Sequence, residues 1–436
     1  MVAAENGHHG VVEALLADSR ADPNLAQSAF STPLIAAAGS GHLDAVCVLL
    51  GDARVNANLA RDDSATPLFM AAQEGRADVV RLLLDNPQVD PNLATDTHTT
   101  PLVIAAGQGH ADVVRLLLEN PKVDPSLAIK YGKIPLLMAA LGGHADVVRL
   151  LLQNSQMDPN LAANYFTPLF MAAQNGHADV VRLLLDNPQV DPNLANDHSE
   201  TPLFSAAQNG HEDVVRLLLD HPQVDPNLAS SDRNTPLHMA AMEGHADVVR
   251  LLLDNPKVNP NPARKYGDTP LILAAEYGHA DVVRLFLEHP QVDLNLAGNS
   301  CMLYRTAHGG RADVVSLLLR DPRVNPNETR TDGETPLLAA VKQGRVDVVR
   351  LLLGDPRVDP NQAKKKGGTS PLKLAKLNDW PEITRLLLYD PRVKGNLIGV
   401  PIVEVPKTPD PEFKFERELQ FEHDTVRILN NCCSWR

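Results

Sequence analysis

Apolar and polar positions along the chain follow one pattern, written out most plainly from Thr66 to Asn92. Leu68, Ala71 and Ala72 share one side of a short helical stretch, and Val79, Val80, Leu82, Leu83 and Leu84 form a second. The second stretch is too apolar to face water on more than one side. The pattern predicts two helices. Thr66 is a good N-cap, and Pro67 falls at the first helical position, where its missing N–H costs nothing. Gly75 ends the first helix as a residue able to take positive φ. Asp78 opens the second at its positive dipole end. Asn86-Pro87 stops it, because the residue before proline disfavours the α region. Gln88 to Thr99 then reads as an extended connector with turn residues.

Nearly everything from residue 3 to about 398 copies this stretch. Thr-Pro recurs at Thr32, Thr66, Thr100, Thr167, Thr201, Thr235, Thr269 and Thr335, with variant openings at Ile134-Pro135, Cys301-Met302 and Ser370-Pro371. The spacing is mostly 34, with 33 once, 32 into Cys301 and 35 into Ser370. A fixed period in this range means a solenoid. Two helices of this size cannot bury a leucine-rich face alone, so each copy needs the next one stacked on it.

Thr-Pro-Leu-x-x-Ala-Ala-x-x-Gly-His followed by Val-Val-x-Leu-Leu-Leu resembles the ankyrin repeat. The resemblance covers about nine-tenths of the chain. It implies a mainly α repeat solenoid of stacked helix-turn-helix units with extended hairpin-like loops. The expected divisions are a truncated first repeat at 1–31 and a solenoid at 32–398. The full copies are 32–65, 66–99, 100–133, 134–166, 167–200, 201–234, 235–268, 269–300, 301–334, 335–369 and 370–398. A tail at 399–436 holds an extended segment and a short amphipathic helix that most simply packs on the open end of the stack. The linker is one residue longer than in the usual family repeat, a long-linker variant found in multi-ankyrin proteins. The histidine of the family's Thr-Pro-Leu-His survives only at His238; Phe69, Phe170 and Phe204 are among its apolar replacements. By the resemblance, the Gly-His histidines are structural and order the turn between helices.

Composition changes this picture little. Aromatic residues make up 4%, as expected where small residues line the packing faces. Cys47, Cys301, Cys432 and Cys433 show no metal-like or disulfide-like spacing, which points to a reducing compartment, cytoplasmic or nuclear. Charge interrupts every leucine run, so no membrane span is expected. The net charge of −14 is uneven. Residues 1–319 hold 20 basic and 37 acidic groups, whereas 320–394 hold 15 basic and 10 acidic. The acidic body argues against direct nucleic-acid binding. Lys364-Lys365-Lys366 reads first as a solvated loop, and second as a nuclear address or a dock for an acidic partner. The recurring Asp–Arg pairs three apart on the second helix, such as Asp112/Arg115, read as exposed helix pairs.

No phosphate loop, nucleophile elbow, metal spacing or paired carboxylates stand outside the repeat, so no catalysis, cofactor or metal is expected. Recognition remains. In the family whose motif this is, loop tips and the exposed side of the first helix hold a protein partner. Tyr131, Tyr165, Phe166, Tyr266, Tyr277 and Tyr304 fall in or beside that zone, as does Phe30. Gln174, Asn175, Gln208 and Asn209 join them from the first helices, and Arg305 from the odd copy at 301–334. That copy lacks Thr-Pro-Leu and is expected to be either a weak joint or a contact site through Tyr304, Arg305 and His308. The last copy, with Lys373, Lys376, Asn378, Asp379 and Trp380, reads as a polar cap. The resulting expectation is a monomeric, non-catalytic scaffold or adaptor that binds a protein along a concave surface. Its alternatives are a nuclear co-regulator holding a transcription factor, and a piece of a longer multi-ankyrin signalling protein, since Met1 falls inside a copy.

Overall fold

The computed structural model describes residues 1–393, apart from 27–30, 128–131, 156, 265–266, 295, 297–301, 331 and 365–367. Tyr131, Tyr266, Phe30, Lys365, Lys366 and the tail at 399–436 therefore lie outside the described residues. Within them the chain forms 24 helices and no strand, with one isolated antiparallel bridge between Ala163 and Phe166.

The copy at 66–99 shows how the residues make the unit. Its first helix is Pro67–Gln73 and its second is Ala77–Asp85. Thr66 caps the first, its side-chain oxygen accepting the amide of Phe69 at 3.2 Å. Thr32, Thr100, Thr167, Thr201, Thr235, Thr269, Thr335 and Ser370 make the equivalent bond. Ile134 has no side chain able to do so, and its helix begins uncapped on Pro135. Gly75 takes a φ of +69°. Asn86 leaves the second helix in extended backbone just before Pro87.

First helices pack on first helices of the next copy and second on second, with both pairing inside each copy. This makes two layers with one continuous core between them. Leu68, Ala71, Ala72, Val79, Val80 and Leu83 are almost wholly buried, and their counterparts repeat this in copy after copy. Each fully buried valine or leucine is worth about 1.5–3 kcal/mol relative to exposure. Leu82 and Leu84 are half-buried at the edge of that core.

Three polar links join the copies. The first corrects the expectation for the Gly-His histidines, whose rings reach the preceding copy rather than their own turn. His110 Nε2 donates to the carbonyl of Gln73 at 2.9 Å, and His144, His177, His211, His245 and His279 repeat the bond one copy on each time. Where arginine stands instead, at Arg76, Arg311 and Arg345, its Nε donates to the same carbonyl position.

The second link runs along the connectors. Asn193 Nδ2 donates to the carbonyl of Gln223 at 2.7 Å while its Oδ1 accepts the amide of Asp225 at 3.0 Å. Asn24, Asn58, Asn92, Asn160, Asn227, Asn261 and Asn327 grip the next connector in the same two-bonded way. Ser126 occupies this place in the copy at 100–133, and its hydroxyl turns back to Asp124.

The third link is an arginine clamp. Arg323, Arg357 and Arg392 each pair with the aspartate two residues earlier and donate to carbonyls at the end of the preceding copy's second helix, those of Leu287, Leu319 and Leu353. Cations placed there also oppose the negative end of the helix dipole. The arginines hold the carboxyls of Asp321, Asp355 and Asp390 below the usual range. Part of the basic excess at 320–394 is thus spent on joining copies.

In the last copy Asp379 takes the left-handed turn that glycine takes elsewhere, with φ +53°, and the Trp380 ring lies over Gly344 in place of histidine.

Candidate functional site

The first-helix layer and the connector tips before each Thr-Pro form the surface on which the sequence concentrates its variable residues. Tyr165 stands at the tip of the connector closed by the Ala163–Phe166 bridge. Asn164 and Tyr165 both have positive φ, +49° and +71°, as a two-residue hairpin turn requires. The tyrosine ring is 66% exposed. Left-handed backbone costs a side-chain-bearing residue about 1–2 kcal/mol, and tyrosine has no short polar group to offset it. Its neighbour Phe166 turns inward, half-buried, with its ring centroid 5.1 Å from that of Phe170.

At the end of the first helices, Gln174 and Gln208 are half-buried and lend their carbonyls to His211 and His245. Asn175 and Asn209 are exposed, and each donates its amide to its own helix, to Met171 and Ser205 respectively. Those bonds satisfy C-terminal helix carbonyls and leave the amide oxygens facing outward. Tyr277 occupies the same register as Asn175 and Asn209 and is 50% exposed. Tyr165, Asn175, Asn209 and Tyr277 thus all present atoms to solvent from this layer.

Tyr304 does not. The expectation that it is a surface contact is corrected: its ring is 6% exposed. It stands fourth in its copy, where His238 and Phe69 stand in theirs, and that position points into the stack. His238 Nε2 donates to the carbonyl of Asp268, the residue before the next Thr-Pro. Tyr304 does the same with a side chain, donating its hydroxyl to Glu334 Oε2 at 2.8 Å. Arg330 covers the ring at 5.1 Å and Lys342 holds the other carboxylate oxygen of Glu334 at 3.4 Å. Burial pushes the Tyr304 hydroxyl above the ordinary phenol range. Arg305 is engaged as well, with Asp268 at 2.9 Å and Glu276 at 2.8 Å. His308 meets Gln343. The odd copy therefore compensates for its missing cap and proline with a partly buried charged network. Its signal in the sequence was Glu334 and Asp268, each just before Thr-Pro, 30 and 37 residues from the groups they hold.

Lys364 pairs with Asp332 of the preceding connector at 3.2 Å. Among the described residues no group of three histidine, cysteine or acidic side chains is placed to hold a metal ion. No helix among the described residues is long and apolar enough to cross a membrane. Two open grooves, of about 520 and 610 Å³, lie between second helices near their ends, one beside Cys47 and Leu82 and the other beside Leu319 and Leu351. Neither includes a candidate partner-binding residue read from the sequence.

A family model described as ankyrin repeats in three copies matches residues 1–95, 87–163, 155–230, 222–297 and 302–396. The chain belongs to the ankyrin-repeat family. A comparison with curated proteins found no match. Ankyrin repeats generally mediate protein–protein interaction and are generally non-enzymatic modules, which makes their first-helix layer and connector tips the natural candidate surface.

Proposed function

We propose that this ankyrin-repeat chain is a non-catalytic scaffold or adaptor that holds a partner protein across its first helices and connector tips. The observation that carries the reading is the pair of exposed tyrosines on that side, Tyr165 and Tyr277. Tyrosine offers a large, stiff contact area with a polar end, and it is enriched among interface residues that dominate binding. Tyr165 adds a second argument. Strained backbone persists where surrounding structure enforces it, and it clusters at binding and catalytic sites. Asn175 and Asn209 supply hydrogen-bonding groups in the register of Tyr277. The same reading has the chain act as a monomer in the cytoplasm or nucleus, without direct nucleic-acid contact. Nothing favours the nuclear co-regulator specifically, because the lysine run that suggested it begins with a lysine already paired to Asp332.

Affinity capture from native extract tests this, with wild type beside a Tyr165→Ala, Tyr277→Ala variant of matched thermal stability. A partner retained by wild type and lost by the variant supports the reading. Identical partners on both baits would move the surface elsewhere.

A further inference from the structure

The fifth positions of the copies, on the first helices, follow one another along this same layer, and in the N-terminal part of the stack they are apolar without being covered. Met70, Ile104 and Met138 are half-buried. Beside them the eighth position is glycine twice. The side chain of Met70 lies against Gly39, with its Cβ 3.6 Å from where a glycine side chain would begin, and Met138 lies the same way against Gly107. Leu141, one copy on from Gly107 in that register, is 36% exposed. Gln73 stands between Met70 and Ile104, but its amide points to Glu74. The result is an apolar lane across the copies from 32 to 166. Beyond it the lane closes, since Met171, Met239 and Leu273 are buried, and the eighth positions become Gln174 and Gln208.

Asp62, Glu74 and Asp96 are exposed and have no lysine or arginine partner among the described residues. The described cations nearby are held against the chain. Arg61 pairs with Asp63, Arg76 donates to the Gly39 carbonyl, and Lys133 is half-buried in its connector.

We propose that the lane docks an amphipathic helix of the partner, with large apolar side chains at seven-residue intervals and lysine or arginine beside them. The proposal rests on the reading of the first-helix layer as the partner surface. The interval follows from geometry. Packed helices lie about 8–10 Å apart, so Met70, Ile104 and Met138 recur at about that spacing. A helix rises about 1.5 Å per residue, so every seventh side chain, about 10.5 Å on, meets the next position. Methionine suits such a surface because its unbranched, polarisable side chain adapts to what it meets. The three carboxylates select a basic flank and raise the encounter rate.

The probe is a random 18-residue peptide library displayed on phage, selected on the full chain. Enriched sequences should be net basic with apolar residues at positions i, i+7 and i+14. Synthetic copies should bind wild type at least tenfold more tightly than a Gly39→Gln, Gly107→Gln variant. Both glycines lie inside helices, and a Cβ there meets only ordinary van der Waals contacts, so the variant should fold while covering the methionines. Binding should also fall several-fold in an Asp62→Asn, Glu74→Gln, Asp96→Asn variant. Acidic or patternless winners, undiminished binding to the glutamine variant, or no enrichment would overturn the lane. Peptides kept by the glutamine variant but lost by Tyr165→Ala, Tyr277→Ala would remove the lane and leave the broader partner surface standing. Peptides indifferent to both variants would remove both.

Discussion

His110 and Gly75 face each other across the joint between two copies. A Cβ on Gly75 would sit 2.7 Å from the Nδ1 atom of the His110 ring, whose Nε2 holds the carbonyl of Gln73. The glycine is therefore required twice, once by its positive φ and once by the ring that fills the space of its missing side chain.

Gly75→Ala should destabilise the chain by about 1–2 kcal/mol for the backbone alone, with the displaced ring adding to it. Gly107→Ala should do the opposite, stabilising by roughly 0.5–1 kcal/mol, because Gly107 is inside a helix with room beside Met138. Chemical denaturation of the two variants, side by side, checks both signs. Equal losses in the two would mean that neither the turn nor the histidine distinguishes these glycines.

Asn193→Ala should cost about 1 kcal/mol, since two hydrogen bonds to an exposed connector are exchanged for water. The sharper readout is local. The amide of Asp225 should exchange with deuterium much faster, while the amides of the flanking helices keep their protection. Unchanged exchange at Asp225 would show that the ladder contributes nothing there.

Burial holds the His238 imidazole down to about 4, against an ordinary value near 6.5. It stays neutral, with Nδ1 accepting the amide of Thr235 and Nε2 donating to Asp268. The unfolded chain binds the proton first, so stability falls as pH drops from about 6.5 to about 4, and this group adds no slope above 6.5. The loss over that window is on the order of 3 kcal/mol. His238→Phe, which places there the residue found at Phe69 and Phe170, should flatten that part of a plot of Tm against pH. A wild-type plot already flat over the window would exclude the buried neutral imidazole.

Tyr165→Asn should stabilise by about 1 kcal/mol, because asparagine tolerates the left-handed turn that the tyrosine is forced into. The same change should weaken partner capture. A gain in denaturation midpoint together with a loss of binding identifies strain kept for contact. A gain without any loss of binding would leave the tyrosine without a role.

The unit was legible from sequence because its causes are local. A threonine cap, a proline at the first helical position, a glycine able to turn left-handed and an asparagine-proline stop act within a few residues of one another. Apolar periodicity then marks which side each helix buries, and repetition fixes that copies must stack. Tyr277 and Tyr165 were also legible as exposed groups, lying at positions the repeat leaves variable.

What joins the copies was not legible, since the partners are 29 to 39 residues apart and only stacking brings them together. His110 reads locally as a turn residue, and the fold gives its ring to Gln73 of the copy before. Asn193 reads as a connector residue until the next connector lies beside it. Tyr304 reads as a variable aromatic, yet its register turns it inward to Glu334. Met70 and Met138 are half-open only because glycines 31 residues earlier, Gly39 and Gly107, come to lie beside them. Local sequence determined the shape of one copy. The distance between neighbouring copies, which only tertiary packing sets, decided which side chains bridge them and which remain free to meet a partner.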